Sequence, residues 1–291
     1  MGIPELFGQG RPVFSFEFFL PKTAEETAGF LAGVREIKAL GPGFVTLTYG
    51  AGGSSRERTI ETAGRMKSEA GIETACHLTC LTHTRGEISE CLDRVEALGI
   101  TNIVALRGDQ PKDRAVPPPE RRDFGYARDL VEAIKRRGGF KVAVAGYPEK
   151  HPEAPSPEAD LARLVEKIAA GADWVITQLF FDNADYFDFV GRARAAGVAE
   201  GIPIVPGIMP VTSFSQLKRF TAMCGAKIPA AMASELEALQ ADPEAVLRFG
   251  IDYATRQCRG LLAGGAPGLH FYTLNRTRSA SQILADLRKT S

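Results

Sequence analysis

Short runs rich in Val, Ile, Phe and Thr recur along this chain at 13–19, 44–49, 74–80, 102–107, 141–147, 174–181, 203–209 and 269–274. Each has the length of a strand, and most are apolar on both faces, as strands covered on both sides must be. Between them lie helical patterns with start signals. Thr23-x-x-Glu26, Ser54-x-x-Glu57, Thr84-x-x-Glu87 and Ser213-x-x-Gln216 fit a capping box, and Ser156-Pro157 offers an N-cap followed by proline in the first turn. Leu161, Leu164, Val165 and Ile168 form one apolar stripe; Ile88, Cys91, Leu92, Val95 and Leu98 form another. Gly41, Gly71, Gly99, Gly138, Gly171 and Gly197 close helical stretches ahead of the next strand. A strand plus crossover helix takes roughly 30 residues, and that unit repeats here. Eight copies predict an α/β fold, a (βα)8 TIM-type barrel with its helices outside, in preference to an open doubly wound sheet. The last repeat is longer, with two helical pieces between 228 and 262 split near Pro243.

The 291 residues could make two ordinary domains or one barrel, and the strand count uses nearly all of them. Residues 1–291 are therefore expected to form a single domain. Lys plus Arg number 35 against 35 Asp plus Glu, so no basic excess points to nucleic acid or to an anionic membrane surface. No run approaches a membrane span, and the N-terminus lacks the basic and apolar regions of an export signal. Cys76, Cys80, Cys91, Cys224 and Cys258 are odd in number and show no zinc or CxxC spacing, which suits free thiols in a reducing cytoplasm. The expectation is a cytoplasmic protein acting on something small. Apolar surface on the last long helices suggests a homo-oligomer.

Polar residues in strands buried on both sides need a reason. They gather at the C-terminal ends: Glu17, Thr48, His77, Asp109, Tyr147, Gln178 and Tyr272. Convergence on one rim is how a barrel builds an active site. Glu17, set among Phe14, Phe16, Phe18 and Phe19, is either a buried carboxylate paired with a base or an acid whose pKa burial raises toward neutrality. His77 has the spacing of a metal ligand with Cys76 and Cys80, but strand alternation puts it on the opposite face from both. No metal site is expected. Gly50-Ala51-Gly52-Gly53-Ser54-Ser55 misses the third glycine of a dinucleotide fingerprint and reads instead as a tight loop that lets a flat ligand come close. The segment 109–122, with Pro111, Pro117, Pro118 and Pro119 among charges, is either a solvated loop or a lid.

Taken in order, FSFEFF-x-PKT, VTLTYGAGGSSRERT, HLTC, NIVALRGDQP, GYPEKHPE, ITQLFFD, PGIMPVTSFSQ and HFYTLNR strongly resemble the methylenetetrahydrofolate reductase family, from Phe14 to Arg276. The resemblance implies an eightfold barrel that binds FAD, takes electrons from NADH or NADPH, and then reduces 5,10-methylenetetrahydrofolate to 5-methyltetrahydrofolate. It also implies that the S-adenosylmethionine-binding regulatory domain of eukaryotic relatives, which follows the barrel, is not part of this chain.

The same resemblance implies roles for individual residues. Glu17 would be the acid that protonates N10 so that the bridging methylene opens, and Asp109 would lie beside flavin and pterin. Thr48, His77, Arg107, Gly108, Asp109, Tyr126, Ala127, Tyr147, His151, Asp160 and Lys167 would bind FAD. Gln178, Phe214, Tyr272 and Arg276 would meet the substrates. Two positions depart from the family pattern: Leu20 replaces a usual proline, and Arg163 replaces a smaller polar residue. A flavin- or folate-binding barrel without turnover is the alternative, but it leaves Glu17 without a task. A Schiff-base lyase would want a lysine inside a strand at the active rim, and Lys141 sits at a strand's start.

Overall fold

The structure, a computed structural model, describes residues 2–23, 25–49, 56–110, 116 and 121–289. Its strands are β1 (Val13–Phe18), β2 (Phe44–Leu47), β3 (Thr74–Thr79), β4 (Asn102–Leu106), β5 (Lys141–Gly146), β6 (Trp174–Leu179), β7 (Ile204–Ile208) and β8 (Gly268–Tyr272). They pair in parallel and in chain order, and β8 closes on β1 from Val13↔Gly268 to Glu17↔Tyr272. The fold is a closed (βα)8 barrel.

The helices are α1 (Glu26–Lys38), α2 (Arg56–Ala70), α3 (Arg85–Ala97), α4 (Ala127–Arg137), α5 (Pro157–Ala169), α6 (Asn183–Ala195), α7 (Phe214–Cys224), α8 (Ala230–Leu239), α9 (Pro243–Ala263) and α10 (Thr277–Arg288). Their starts follow the capping chemistry. Thr84 and Glu87 form the full reciprocal box, while Ser156 and Ser213 accept the N–H groups of Ala159 and Gln216. At α1 the box is displaced: Glu26 N–H donates to Thr23, but the Glu26 carboxylate accepts from Lys22 rather than Thr23. Ser54 lies outside the described residues. The long last repeat divides at Pro243, where Asp242 caps α9 through the N–H groups of Glu244 and Ala245.

Strand alternation sorts side chains between two compartments. One set points outward to the helices, where Phe16, Phe18, Leu47, Leu78, Ile103 and Phe271 join the large core. The other fills the barrel: Val13, Phe44, Ala75, Val104, Ala143, Trp174 and Val205 form an apolar floor, plugged from below by Ile3 with Leu6 and Phe7 packed against it. Each fully buried large apolar side chain adds roughly 1.5–3 kcal/mol of transfer free energy, so the interior is a packed core and not a pore. Above this floor the lining becomes polar. The strand ladders place Ser15 beside His270, and Glu17 between Thr46 and Tyr272.

The apolar runs of the sequence overshoot the strands at their C-terminal ends. Phe19, Thr48, Tyr49, Cys80, Arg107, Tyr147, Phe180, Phe181 and Met209 all lie beyond the last residue of their strand. They stand in the βα loops just past the ladder, the rim where several of the candidate functional residues sit.

Candidate active site

One corner of the rim is built around Glu17, which projects into the barrel from the end of β1. Its Oε2 accepts from Thr46 Oγ1 at 3.3 Å, and His270 Nε2 lies 3.3 Å from the same oxygen. His77 Nε2 is also 3.3 Å from Oε2, close enough for charge attraction, yet this buried nitrogen has no hydrogen-bond partner among the described residues. All three contacts fall on Oε2, and none among the described residues falls on Oε1. His270, wholly buried, meets Ser15 Oγ through Nδ1 at 2.8 Å. Its ring is stacked 6.2 Å from Phe44 and meets Tyr272 edge-on at 5.4 Å. Tyr272 donates from its hydroxyl to Thr177 O at 2.6 Å, and it lies against Gly207, where any Cβ would come within 2.6 Å of the tyrosine ring. Glycine at 207 is therefore a condition for this wall of the site.

Of the two readings open for Glu17, the structure corrects the one in which burial raises its pKa toward neutrality. Burial does push the carboxyl up, but the charge of His77 and the hydrogen bond from His270 outweigh it and hold Glu17 well below the usual carboxylate range. The first of the two sequence alternatives is the one realised: the carboxylate is buried and paired with bases.

A second corner is built by the loops after β4 and β5. Gly108, with φ of 87°, turns the chain beyond Arg107, and a Cβ there would press on Thr79. The Arg107 guanidinium makes a bidentate pair with Glu153, at 2.6 and 2.9 Å. Tyr147 and His151 meet edge to face at 4.7 Å. Asp160, on α5, accepts the His151 backbone N–H at 3.0 Å, and His151 Nδ1 accepts that of Glu153 at 3.1 Å. One turn along α5, Arg163 lies 4.2 Å over the ring of Tyr126, which precedes Ala127 at the start of α4. Lys167 follows on the same side and donates to Ala145 O at 2.5 Å. Burial lowers its pKa to about 8, against the opposing pull of Asp160. Asp109 is exposed, near enough to Arg107 and Tyr147 to act on both electrostatically. The corners face each other: the Tyr272 phenol is held well above its ordinary pKa by burial, then by Glu17, then by Tyr147.

The remaining candidates share the rim without a direct contact to Glu17 among the described residues. Thr48 follows β2 and donates its backbone N–H to Phe18 O. Gln178 is the last residue but one of β6, with its Oε1 on the N–H of Leu179. Phe214 is buried at the start of α7, with Lys218 Nζ 4.3 Å above its ring. Arg276 is exposed at the N-cap of α10. The loop carrying it is firmly set: Leu274 and Asn275 adopt positive φ of 49° and 59°, and the Asn275 amide clasps the backbone N–H and C=O of Phe19. A cavity of about 260 Å³ beside that loop, touching Phe18, Gly29, Phe30 and Gly33, opens between α1 and α10 and does not involve Glu17 or Arg107. Residues 50–55, and 111–115 with 117–120, lie outside the described residues, so the flat-ligand loop and the greater part of the lid segment are not part of this geometry. Among the described residues no cluster is placed to hold a metal ion, and no helix is long and apolar enough to cross a membrane.

Comparison with known proteins identifies the family. The family model described as methylenetetrahydrofolate reductase matches residues 3–288. The chain belongs to the methylenetetrahydrofolate reductase family. It is 40% identical over 296 residues to maize methylenetetrahydrofolate reductase (NADH) 1, covering 98% of this chain and 50% of the maize protein. It is 41% identical over 275 residues to the 5,10-methylenetetrahydrofolate reductase of Pectobacterium carotovorum, covering 94% of this chain and 90% of that one. The chain thus spans about half the length of its plant relatives and nine tenths of the bacterial one. Among solved structures, a Clostridium thermocellum protein described as binding two copies of 5-methyl-5,6,7,8-tetrahydrofolic acid superposes with a TM-score of 0.65 at 14% identity, over 96% of this chain and 94% of that one. At that identity the likeness is one of fold.

For a member of the methylenetetrahydrofolate reductase family, the sequence reading named Glu17 and His77 but missed Thr46 and His270, which contact Glu17, and Ser15, which meets His270. Strand parity could have found them, because Ser15 alternates with Glu17 and His270 with Tyr272 along their strands. It also missed Glu153, whose pairing across loops leaves no periodic trace.

Proposed function

We propose that this chain is a flavin-dependent reductase in which NADH supplies electrons and 5,10-methylenetetrahydrofolate receives them, giving 5-methyltetrahydrofolate. The observation that carries the reading is Glu17: a buried carboxylate at the barrel mouth, with one oxygen saturated by donors and the other left for a ligand. Family membership supplies the chemistry in which such a group has a task, and names of plant relatives supply the choice of NADH.

The residues present fit FAD. Arg107 and Lys167 are cations on one corner of the mouth in a chain with no net charge, and the buried His77 Nε2 lacks a hydrogen-bond partner among the described residues. Arg107 and Lys167 suit the diphosphate, while Thr48, His77, Gly108, Tyr126, Ala127, Tyr147, His151 and Asp160 surround the rest. When bound, FAD supplies a two-electron relay between a nicotinamide and a folate.

The chain's own residues do the remainder. Glu17, held ionised in the ligand-free rim, would take up a proton with the folate bound and pass it from Oε1 to N10 so that the imidazolidine ring opens, while Thr46, His77 and His270 hold its Oε2 in place. Asp109 would bond the pterin, and its negative charge beside a bound flavin would lower the flavin's hold on electrons. Gln178 and Phe214 position whichever substrate is present, and Arg276 meets the folate's acidic tail. The Tyr272 phenol stays protonated, and its bond to Thr177 O fixes one wall.

Anaerobic stopped-flow on the FAD-loaded protein tests the reading. NADH should bleach the flavin, and methylenetetrahydrofolate should then restore its colour. Bleaching without restoration would instead indicate a flavoprotein with another acceptor, and no flavin uptake would remove the reading altogether.

A further inference from the structure

Two residues of β6 stand opposite one of β7. The ladder pairs Ile176 with Val205 and then Leu179 with Gly207, so Thr177 and Gln178 share Pro206 as their counterpart. This is a β-bulge, and a bulge beside a site re-aims a side chain. Pro206 offers the ladder no N–H at that point. On its other edge β6 stays in register with β5 as far as Gly146↔Thr177. The irregularity is therefore confined to the seam with β7, at Gln178 and the residue before it.

A bulge frees backbone groups from the ladder, and here side chains take them up. Gly207 N–H donates to Oγ1 of the wholly buried Thr177 at 2.9 Å. Thr177 O accepts the Tyr272 hydroxyl at 2.6 Å. Leu179 N–H donates to Gln178 Oε1 at 2.9 Å. A backbone N–H can only donate, so the amide atom it meets is the oxygen, which leaves Nε2, the amide's donor, for a ligand. The seam has no slack, because a Cβ on Gly207 would collide with Thr177 O and with the Tyr272 ring. Thr177 thus ties the bulge to β7 by its hydroxyl and to β8 by its carbonyl.

We propose that Thr177 is a positioning residue for substrate: by locking the bulge between β7 and β8, it fixes the Gln178 amide in the orientation that offers Nε2 to an acceptor on the folate. This rests on the reading that Gln178 meets the folate. A threonine that served only the strand would need its branched shape, which valine supplies equally well. The hydroxyl is the part the bulge uses, since without it the buried Gly207 N–H is left unpaired.

The test separates positioning from mere support. Thr177→Val keeps the shape and removes the hydroxyl, while Thr177→Ser keeps the hydroxyl. Each is made alone and together with Gln178→Ala, and each protein is loaded with FAD. Binding of tetrahydrofolate, which carries the pterin and tail but no methylene bridge, is measured anaerobically by calorimetry. Thr177→Val should raise its Kd about tenfold, the upper range for one lost hydrogen bond, and Thr177→Ser should stay within about twofold of wild type. In the Gln178→Ala background Thr177→Val should add less than about twofold, because the side chain it acts through is gone. The Kd for FAD, read by fluorescence on the apoprotein, should also move less than about twofold in Thr177→Val, whereas a loss of general support would loosen both ligands.

Wild-type affinity in Thr177→Val would overturn the proposal, as would an equal loss with and without Gln178 or a Thr177→Ser variant as impaired as Thr177→Val. If Thr177→Val does not fold, Thr177→Ala, which leaves room for a water on the Gly207 N–H, is read in its place against the same outcomes. Gln178→Ala that binds tetrahydrofolate as wild type does would remove the reading of Gln178 and the proposal with it, a result distinct from any Thr177 effect.

Discussion

The Glu17 corner and the Arg107 corner share one rim but are made in different ways. Glu17, Thr46, His77 and His270 come from inside β1, β2, β3 and β8, above an apolar floor. Arg107, Glu153, His151 and Asp160 come from loops and a helix start, and they hold one another through charges that water can reach. In the first corner the polar groups converge on one carboxylate oxygen, and none among the described residues falls on the other. In the second the strongest cation is already satisfied by Glu153, whose side chain is 61% exposed. Under the proposed function the first corner would be a fixed receptor for a reacting atom, and the second an electrostatic seat in which a diphosphate would take the place of Glu153.

Four changes bear on that contrast. Arg107→Met removes the guanidinium from the seat and should weaken FAD binding by about 10- to 100-fold, the range of a lost charge-assisted hydrogen bond; fluorescence titration of the apoprotein measures it. Lys167 gives the same seat a pH dependence. Its ammonium is full below about 8 and is lost above. Because diphosphate binding favours the charged form, affinity for FAD should fall as pH rises from 8, by up to about tenfold per unit. Lys167→Arg should flatten that slope, and an equally steep slope in the variant would remove Lys167 from the seat. Gly207→Ala attacks the fixed corner through Tyr272 and Thr177 O and should cost roughly 1–3 kcal/mol in denaturant unfolding. Glu153→Gln should matter least. An exposed pair is worth about 0–1 kcal/mol, so FAD should bind only a few-fold tighter once the competing carboxylate is neutral, while the rate of folate reoxidation stays as it was.

The barrel was legible because eight strands buried on both faces cannot hide their composition, and because glycines and caps punctuate the helices between them. Strand ends were less legible, since Tyr147 or Arg107 can complete an apolar run in sequence while standing beyond the ladder in space. Glu17 stood out as a charge among phenylalanines. Its partners did not, because Ser15 and His270 are single polar residues in apolar runs and only the closing of β8 on β1 brings them together. That closure also reversed the expected shift of Glu17, since a sequence shows that a carboxylate will be buried but not what will be buried beside it. Glu153 was illegible for a different reason: it meets Arg107 across 46 positions, through loops with no period.

The central claim is that Glu17 serves the folate half of the reaction and no other. Glu17→Gln keeps the side chain's shape and removes its acid, so anaerobic single-turnover measurement of both half-reactions tests the claim most directly. NADH should bleach the variant's flavin at a rate close to wild type, while reoxidation by methylenetetrahydrofolate should fall by at least about 100-fold, as expected for a lost general acid. Reoxidation at the wild-type rate would contradict the account.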